Sequence, residues 1–352
     1  MHFMQRRKGF AKETPAFVLI ISAVALQWYS HSGGLLMTPD SCNYLSAAKS
    51  FQESFVFLSP DGTRYDQWPP LFPIILIALK DYWYWIQLIL TAWISILLVG
   101  EVNKVIKDNI IAFVCQCSII LGVHLLMIGV FLWSELLFLL LLIYFIKAIE
   151  RDDLVTAIIF GFFLCLQRNA GLFFVTAAAI WLWDIRKSTL LFLLSTSGFW
   201  VWNILNSKLE QEYFVWTFYN FQVMANSMMK AFAPLPWFGS LLLIGFMYWF
   251  LKGEVQLRFW CLSIALYLLG LILLFKLHDY DDDRYFAIIL PYFTILFFRA
   301  VEIAFEKQTS AVRKVLMILI ICWLTYPLAR TLKNASQWHK LSFTSYFCAI
   351  QF

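Results

Sequence analysis

Residues 130–149 read VFLWSELLFLLLLIYFIKAI, a continuous apolar run whose only charges, Glu135 and Lys147, lie near its ends. A helix needs about 20 predominantly apolar residues to cross the hydrocarbon core of a bilayer. Similar runs recur along the 352-residue chain. The sequence therefore predicts an all-α fold, a polytopic transmembrane bundle of about eleven spans. The spans are predicted at 16–31, 82–102, 110–128, 130–149, 154–167, 170–184, 189–206, 237–251, 258–276, 286–303 and 312–329.

The composition excludes a soluble globular domain. The chain is 61% hydrophobic and 14% charged, whereas soluble domains average about 45–50% apolar and roughly 25% charged residues. So few charges cannot cover a water-facing surface. The basic residues give a net charge of +5 but form no continuous patch, so nucleic acid is not a predicted partner. No CxxC or CxxH spacing indicates a zinc site.

The distribution of Lys and Arg predicts the orientation. Four basic residues precede the first span, which puts the N-terminus in the cytoplasm. Alternation then leaves three long extracytoplasmic segments, at 32–81, 207–236 and 330–352, and a short one at 278–284. Long polar segments on one face favour chemistry on that face. We divide the chain into a transmembrane catalytic domain, 1–329, and a short extracytoplasmic tail, 330–352.

The first extracytoplasmic loop carries the most information. Residues 38–57 read TPDSCNYLSAAKSFQESFVF, and apolar positions at helical spacing from Tyr44 to Phe51 predict an amphipathic helix at the membrane surface. Asp40 stands where a helix cap is expected. The prolines from Pro69 onward predict a second interfacial helix after a polar turn at 59–66. Cys42 lies in this loop and Cys348 in the tail, which leaves a bridge between them open.

Several short motifs occur in an order that resembles one superfamily. An acid follows the first span, and a Tyr-containing helix precedes a Pro-Pro-Leu run. The later motifs are Trp133-Ser134-Glu135, Arg168-Asn169-Ala170-Gly171-Leu172, and Asp282-Asp283-Arg284-Tyr285-Phe286 with Pro291. Together they resemble the GT-C glycosyltransferases, most closely the protein mannosyltransferase-like branch, glycosyltransferase family 39, which includes the bacterial lipid A aminoarabinose transferase. The chain departs from that pattern at Ser41, where many members have a second acid, and at Trp68, where the aminoarabinose transferase has Lys.

The resemblance implies an integral-membrane glycosyltransferase of the bacterial inner membrane. It would move a sugar from a polyprenyl-phosphate donor to a glycan, lipid or protein acceptor at the extracytoplasmic face, in contact with membrane lipids. Asp40 would be the base. Arg284 would contact the phosphate, and Glu135 would orient the acceptor or assist the base. Further substrate contacts are expected from Tyr44, Asp66, Lys80, Arg168 and Tyr285.

Other interpretations remain open for the same residues. Asp40 could act only as a helix cap, and Arg168 could extend to the lipid headgroups. No cofactor is indicated with certainty. Asp281, Asp282 and Asp283 could bind a divalent cation through carboxylate oxygens, or form a solvated acidic turn. For the whole chain, the alternatives are a transporter or flippase, and a polymerase or ligase of the O-antigen type.

Overall fold

The structure is a computed structural model that describes residues 2–66, 68–206, 217–231, 249, 253–274, 277 and 282–344. These residues form helices without any named strand; two isolated bridges, Leu36 with Phe131 and Leu58 with Arg64, are the β-type pairings. The helices are α1 (His2–Ser30), α2 (Pro39–Ser54), α3 (Leu71–Leu79), α4 (Trp83–Val105), α5 (Asn109–Ile120), α6 (Val123–Val130), α7 (Glu135–Glu150), α8 (Leu154–Gln167), α9 (Gly171–Trp181), α10 (Ile185–Asn206), α11 (Thr217–Ala231), α12 (Val255–Leu274), α13 (Asp282–Glu306) and α14 (Ser310–Ser342).

Several of these helices have the length and composition of membrane spans. Within the described ranges, five stretches qualify: Leu71–Val105, Asn109–Val130, Val255–Leu274, Asp283–Glu306 and Ser310–Ser342. Pro15–Ser30, Leu154–Gln167 and Gly171–Trp181 are shorter apolar helices. The predicted span 237–251 falls almost wholly outside the described residues. The count of eleven, and the placement of α2 and α3 at the membrane surface, stay predictions.

The stretch Asn109–Val130, which covers the predicted span 110–128, contains a short break between two helices. Residues 110–128 were expected to form one helix, but α5 ends at Ile120 and α6 begins at Val123. Gly122 lies at the break, where an added Cβ would stand 2.5 Å from the carbonyl oxygen of Ser118. Only glycine fits so close to that backbone. The break shortens α6 and sets where the chain turns towards α7.

The helices differ in how deeply they are packed. α13 is the most buried of the candidate spans and contacts α5, α6 and α11, whereas α14 is the most exposed and leans on α1 and α6. α14 continues to Ser342, well into the region predicted as the tail. Asp40, Glu135, Arg168 and Arg284 lie at or near the ends of α2, α7, α8 and α13. The fold therefore brings four helix ends together.

A second set of charge pairs, in which the carboxylates are largely buried, lies at the other end of α7. The Lys104 ammonium contacts Glu150 at 2.7 Å, and Lys147 contacts Glu101 at 3.2 Å. The indole N–H of Trp260 also donates to Glu150, at 2.7 Å. Glu150 is fifteen residues from Glu135 on the same helix, which is roughly 22 Å at 1.5 Å per residue. These pairs join helices far from the four helix ends.

Candidate active site

The start of α2 determines where Asp40 points. The helix begins at Pro39, and its N-cap is Thr38, whose side chain and that of Ser41 form a capping box. The expectation that Asp40 caps the helix is therefore wrong. Proline favours the first helical position because it has no N–H to donate, and this places the cap one residue before it. Asp40 lies in the first turn, and its carboxylate contacts another element.

The Asp40 carboxylate is paired with Arg284, a residue 244 positions later in the chain. The Arg284 Nη1 atom lies 2.5 Å from Asp40 Oδ2. The Asp40 side chain is 21% exposed, whereas the Arg284 side chain is 3% exposed. The pair is therefore open to solvent on the Asp40 side. This arrangement makes Asp40 the member of the pair that an incoming molecule meets first.

Glu135 lies between two guanidinium groups. Its Oε1 atom is 2.6 Å from Arg284 Nε, and it also contacts Arg168 Nη1. The Glu135 side chain is fully buried, and Arg168 is nearly so. Two arginines and two carboxylates make a cluster with no formal net charge. Buried charges are tolerated when they are paired in this way, and removing one member leaves the others uncompensated.

Aromatic rings and hydroxyl groups surround the arginines. The Arg284 guanidinium lies over Trp133 at 4.9 Å and over Tyr285 at 5.3 Å, and Arg168 lies 5.1 Å from the Tyr285 ring. Such cation–π contacts stabilise a desolvated cation. The Tyr44 hydroxyl lies 3.3 Å from Ser134 Oγ. Burial raises the pKa of Tyr44 well above its ordinary value, so this hydroxyl keeps its proton.

The turn between α8 and α9 directs Arg168 inward. Arg168 follows the last residue of α8, and its Nη1 atom donates to Ser134 Oγ at 3.0 Å. At Gly171 an added Cβ would come within 2.6 Å of the carbonyl oxygen of Leu164. This close approach requires glycine and keeps the turn tight. The side chain is buried, so extension of Arg168 to lipid headgroups is wrong.

Two expected site residues lie on separate elements. Lys80 follows the end of α3, eight residues after Phe72, whose ring contacts Tyr44 at 4.9 Å. At 1.5 Å per residue this is roughly 12 Å along the helix axis. Asp66 lies in the loop before α3, next to the buried Tyr65. The structure thus brings Asp40, Tyr44, Glu135, Arg168, Arg284 and Tyr285 together and places Lys80 at the far end of α3.

The candidate metal ligands are divided by what the structure describes. Asp281 and the side chain of Asp282 lie outside the described residues. Asp283 lies 3.7 Å from His124 Nε2 and 3.4 Å from Arg330 Nη2. Among the described residues there is no group of three His, Cys, Asp or Glu side chains that could hold a metal ion. Asp283 is thus part of a cationic neighbourhood, which favours an ion pair there.

Three residues of the site had no role assigned from the sequence. Ser134 is the N-cap of α7 but makes no side-chain capping bond; its hydroxyl contacts Tyr44 and Arg168 instead. Gln167 donates to the Ser134 carbonyl at 3.0 Å. Trp133 supplies an aromatic face to Arg284. The adjacency of Trp133 and Ser134 to Glu135, and of Gln167 to Arg168, was the available signal.

The fold resembles that of solved membrane-enzyme structures. Over 93% of this chain and 75% of the other, it superposes on ArnT from Cupriavidus metallidurans bound to undecaprenyl phosphate, with a TM-score of 0.58 and 11% identity. The same protein in the apo state gives a TM-score of 0.57 at 12% identity, over 96% and 76% of the two chains. No family model and no curated protein matches the chain. The likeness shows that this chain shares the fold of ArnT, and the length and composition of its apolar helices support a membrane protein.

Proposed function

We propose that this chain is a membrane glycosyltransferase that moves one sugar from a polyprenyl phosphate to an acceptor hydroxyl at the extracytoplasmic face. The observation that carries the proposal is the pairing of a partly exposed carboxylate, Asp40, with a buried guanidinium, Arg284. Such a site can remove a proton and stabilise a departing phosphate. The ArnT-like fold supports this function, because one of the similar structures holds undecaprenyl phosphate.

The transfer moves one proton and replaces one bond of the sugar's anomeric carbon with another. Asp40 takes the proton of the acceptor hydroxyl, and the acceptor oxygen forms a bond to the anomeric carbon of the sugar. The bond from that carbon to the phosphate oxygen breaks, and its electron pair stays on the phosphate. A carboxylate that is open to solvent on one side can reach such a hydroxyl. The carrier phosphate is already a good leaving group, so no further acid is needed.

The Asp40–Arg284 pair links these two events. While Asp40 is ionised, it neutralises much of the Arg284 charge at 2.5 Å. When Asp40 receives the proton, this charge is no longer neutralised by Asp40 and can interact with the phosphate as negative charge develops there. Electrostatic stabilisation of this kind acts strongly where water is excluded. We therefore propose that Arg284 interacts in turn with the base, Asp40, and with the phosphate leaving group.

The other members of the cluster hold these two residues. Glu135 is fully buried between two guanidiniums, so we assign it to holding Arg284 and Arg168, in place of a direct action on the acceptor. Tyr44 and Tyr285 are buried beside the arginines, and they stay proposed substrate contacts. Asp66 and Lys80 stay candidate substrate contacts. A role for a divalent cation also stays open, as does the branch of the superfamily.

The first test replaces the base. In Asp40→Asn the side chain keeps its size but cannot accept the proton, so sugar transfer in isolated membranes should fall by about 10²–10⁴-fold, the usual contribution of a general base. The donor is identified beforehand by mass spectrometry of the lipid-linked sugars that accumulate when the protein is deleted.

The matched control is Asp61→Asn, an exposed acid of the same loop that bonds only within its own turn, to Thr63. This variant should transfer sugar at the rate of the unaltered protein. Both variants are compared in membranes from which equal amounts of monodisperse protein can be extracted in detergent. Wild-type transfer by Asp40→Asn would show that Asp40 is not the base and would remove the proposed mechanism.

A further inference from the structure

The segment that precedes Glu135 is hydrogen-bonded to several other elements. Residues Gly129–Ser134, which we call the strap, run from the last turn of α6 to the start of α7. Most of the strap is buried, and buried backbone carbonyls need hydrogen-bond donors. Five of them take donors from other elements: Gly129 from Gln27 Nε2 at 2.6 Å, Val130 from Leu36 N at 3.3 Å, Phe131 from Gln87 Nε2 at 2.7 Å, Leu132 from Ser41 Oγ at 2.9 Å and Ser134 from Gln167 Nε2 at 3.0 Å.

The hydrogen bonds to the strap explain why three glutamines are buried in apolar helices. Gln27, Gln87 and Gln167 belong to α1, α4 and α8 and are essentially unexposed. A buried amide costs free energy unless it is hydrogen-bonded, and each of these three donates to the strap. The strap is thereby tied to α1, α2, α4 and α8 at once. It is a fixed reference against which the charged side chains can be placed.

Trp133 extends from the strap to both halves of the Asp40–Arg284 pair. Its indole N–H donates to Thr38 Oγ1 at 2.8 Å, and Thr38 is the N-cap of α2, the helix that carries Asp40. The face of the same indole lies 4.9 Å from the Arg284 guanidinium carbon. The Phe131 ring stacks on the indole, with centroids 4.5 Å apart. One side chain therefore fixes the start of α2 and the position of Arg284.

We propose that Trp133 is a positioning residue that sets the distance between Asp40 and Arg284. The inference rests on the proposed glycosyl transfer, since it concerns the two groups assigned to that reaction. Trp133 acts through its neighbours: the N–H holds the cap of α2, and the ring supports the guanidinium. If the N–H is lost, the start of α2 can shift relative to Arg284. A displacement of about 1 Å can reduce a rate by about 100-fold.

The test removes the hydrogen bond between Trp133 and Thr38 in two ways, once by removing its donor and once by removing its acceptor. Trp133→Phe keeps an aromatic face for Arg284 but has no N–H, and Thr38→Val has no oxygen to accept one. We expect kcat for transfer to fall by about tenfold or more in each, and the KM for the lipid-linked donor to change by less than about twofold. Thr38→Val also removes the cap bond from Ser41 N–H, so the double variant should fall little further than Thr38→Val, which already lacks the bond that Trp133→Phe removes. Thr38→Ser keeps the acceptor and should recover most of the activity that Thr38→Val loses.

The controls separate this inference from the proposed function. Trp93→Phe alters an exposed tryptophan of α4 away from the cluster and should transfer sugar at the wild-type rate. If Trp133→Phe cannot be extracted in folded form, Trp133→Leu, which also lacks the N–H but leaves the Thr38 cap in place, takes its place. Wild-type kcat in Trp133→Phe and Thr38→Val, with Asp40→Asn inactive, overturns the positioning role and leaves the function intact. Equal losses in Thr38→Ser and Thr38→Val also overturn it. Full activity of Asp40→Asn removes the function itself.

Discussion

At the scale of single residues, Glu135 determines whether the arginines can remain buried. Its carboxylate is unexposed and contacts both Arg168 and Arg284. Glu135→Gln keeps the shape but leaves one positive charge uncompensated, and breaking a buried ion pair in this way costs about 3–5 kcal/mol. We expect a clear fall in the thermal unfolding midpoint of the detergent-solubilised protein, together with loss of transfer.

The comparison for Glu135 is Glu53→Gln, which alters an exposed carboxylate on α2. A substitution at such a site usually changes stability by no more than about 0.5 kcal/mol, so the midpoint should stay near that of the unaltered protein. Equal midpoints for the Glu135 and Glu53 variants would mean that the cluster does not depend on its central carboxylate for stability.

The charged members of the cluster could be predicted from the sequence, and their uncharged neighbours could not. Charges beside apolar runs are costly and few, so Glu135, Arg168 and Arg284 attract notice by position alone. Thr38 and Trp133 are residue types with many ordinary roles, and only the fold shows that they touch. The prediction of Asp40 as a cap failed because Pro39 takes the first helical position, so that the cap is Thr38, two residues before Asp40.

At the scale of elements, a second buried carboxylate organises the turn between α4 and α5. Glu302 Oε1 on α13 accepts from the backbone N–H groups of Lys107 at 2.7 Å and Asp108 at 2.5 Å, and Arg299 pairs with its other oxygen. Glu302 is eighteen residues from Arg284 along α13, which is roughly 27 Å. This carboxylate therefore serves the turn and is remote from the proposed chemistry.

Replacing Glu302 should separate stability from activity. Glu302→Leu removes the charged acceptor of two backbone N–H groups, and a hydrogen bond to a charged group contributes about 1.5–3 kcal/mol. We expect a lower unfolding midpoint but wild-type transfer per folded molecule, measured below that midpoint. Glu306→Leu, one turn later on α13 and exposed, is the comparison and should keep the midpoint. A large loss of transfer per folded Glu302→Leu molecule would argue that the two ends of α13 are coupled.

Element boundaries show why hydropathy predicts helices better than it predicts their ends. The predicted span 154–167 coincides with α8, because Asp153 and Arg168 bound an apolar run. The span 110–128 is continuous in hydropathy, yet it divides at Gly122, where backbone crowding decides the path. The close approach of Gly122 to the Ser118 carbonyl belongs to the local backbone path at the helix end, which hydropathy along a run does not contain.

At the scale of the whole molecule, the order of the elements was predictable because each motif stands beside a recognisable apolar run. The contact between Asp40 and Arg284 follows from packing across the bundle, and the sequence indicated it only through a resemblance.

The ends of α1 and α14 meet on the site's side of the bundle. The Gly33 N–H donates to Ser342 Oγ at 3.1 Å, and the rings of Tyr29 and His339 stack at 4.3 Å. The end of α14 and the proposed site should therefore face the same compartment.

The last prediction concerns which compartment that is. Basic residues in the N-terminal part of α1 favour a cytoplasmic N-terminus. Cys42, two residues after Asp40, is disulfide-bonded, a state that persists in oxidising compartments. A membrane-impermeant maleimide should therefore label Asp61→Cys in intact cells. Lys107→Cys, on the exposed turn between α4 and α5, should react only after permeabilisation, with the unaltered protein as the background control. The opposite labelling pattern would place Asp40 and Arg284 in the cytoplasm, where the proposed acceptor would have to be sought instead.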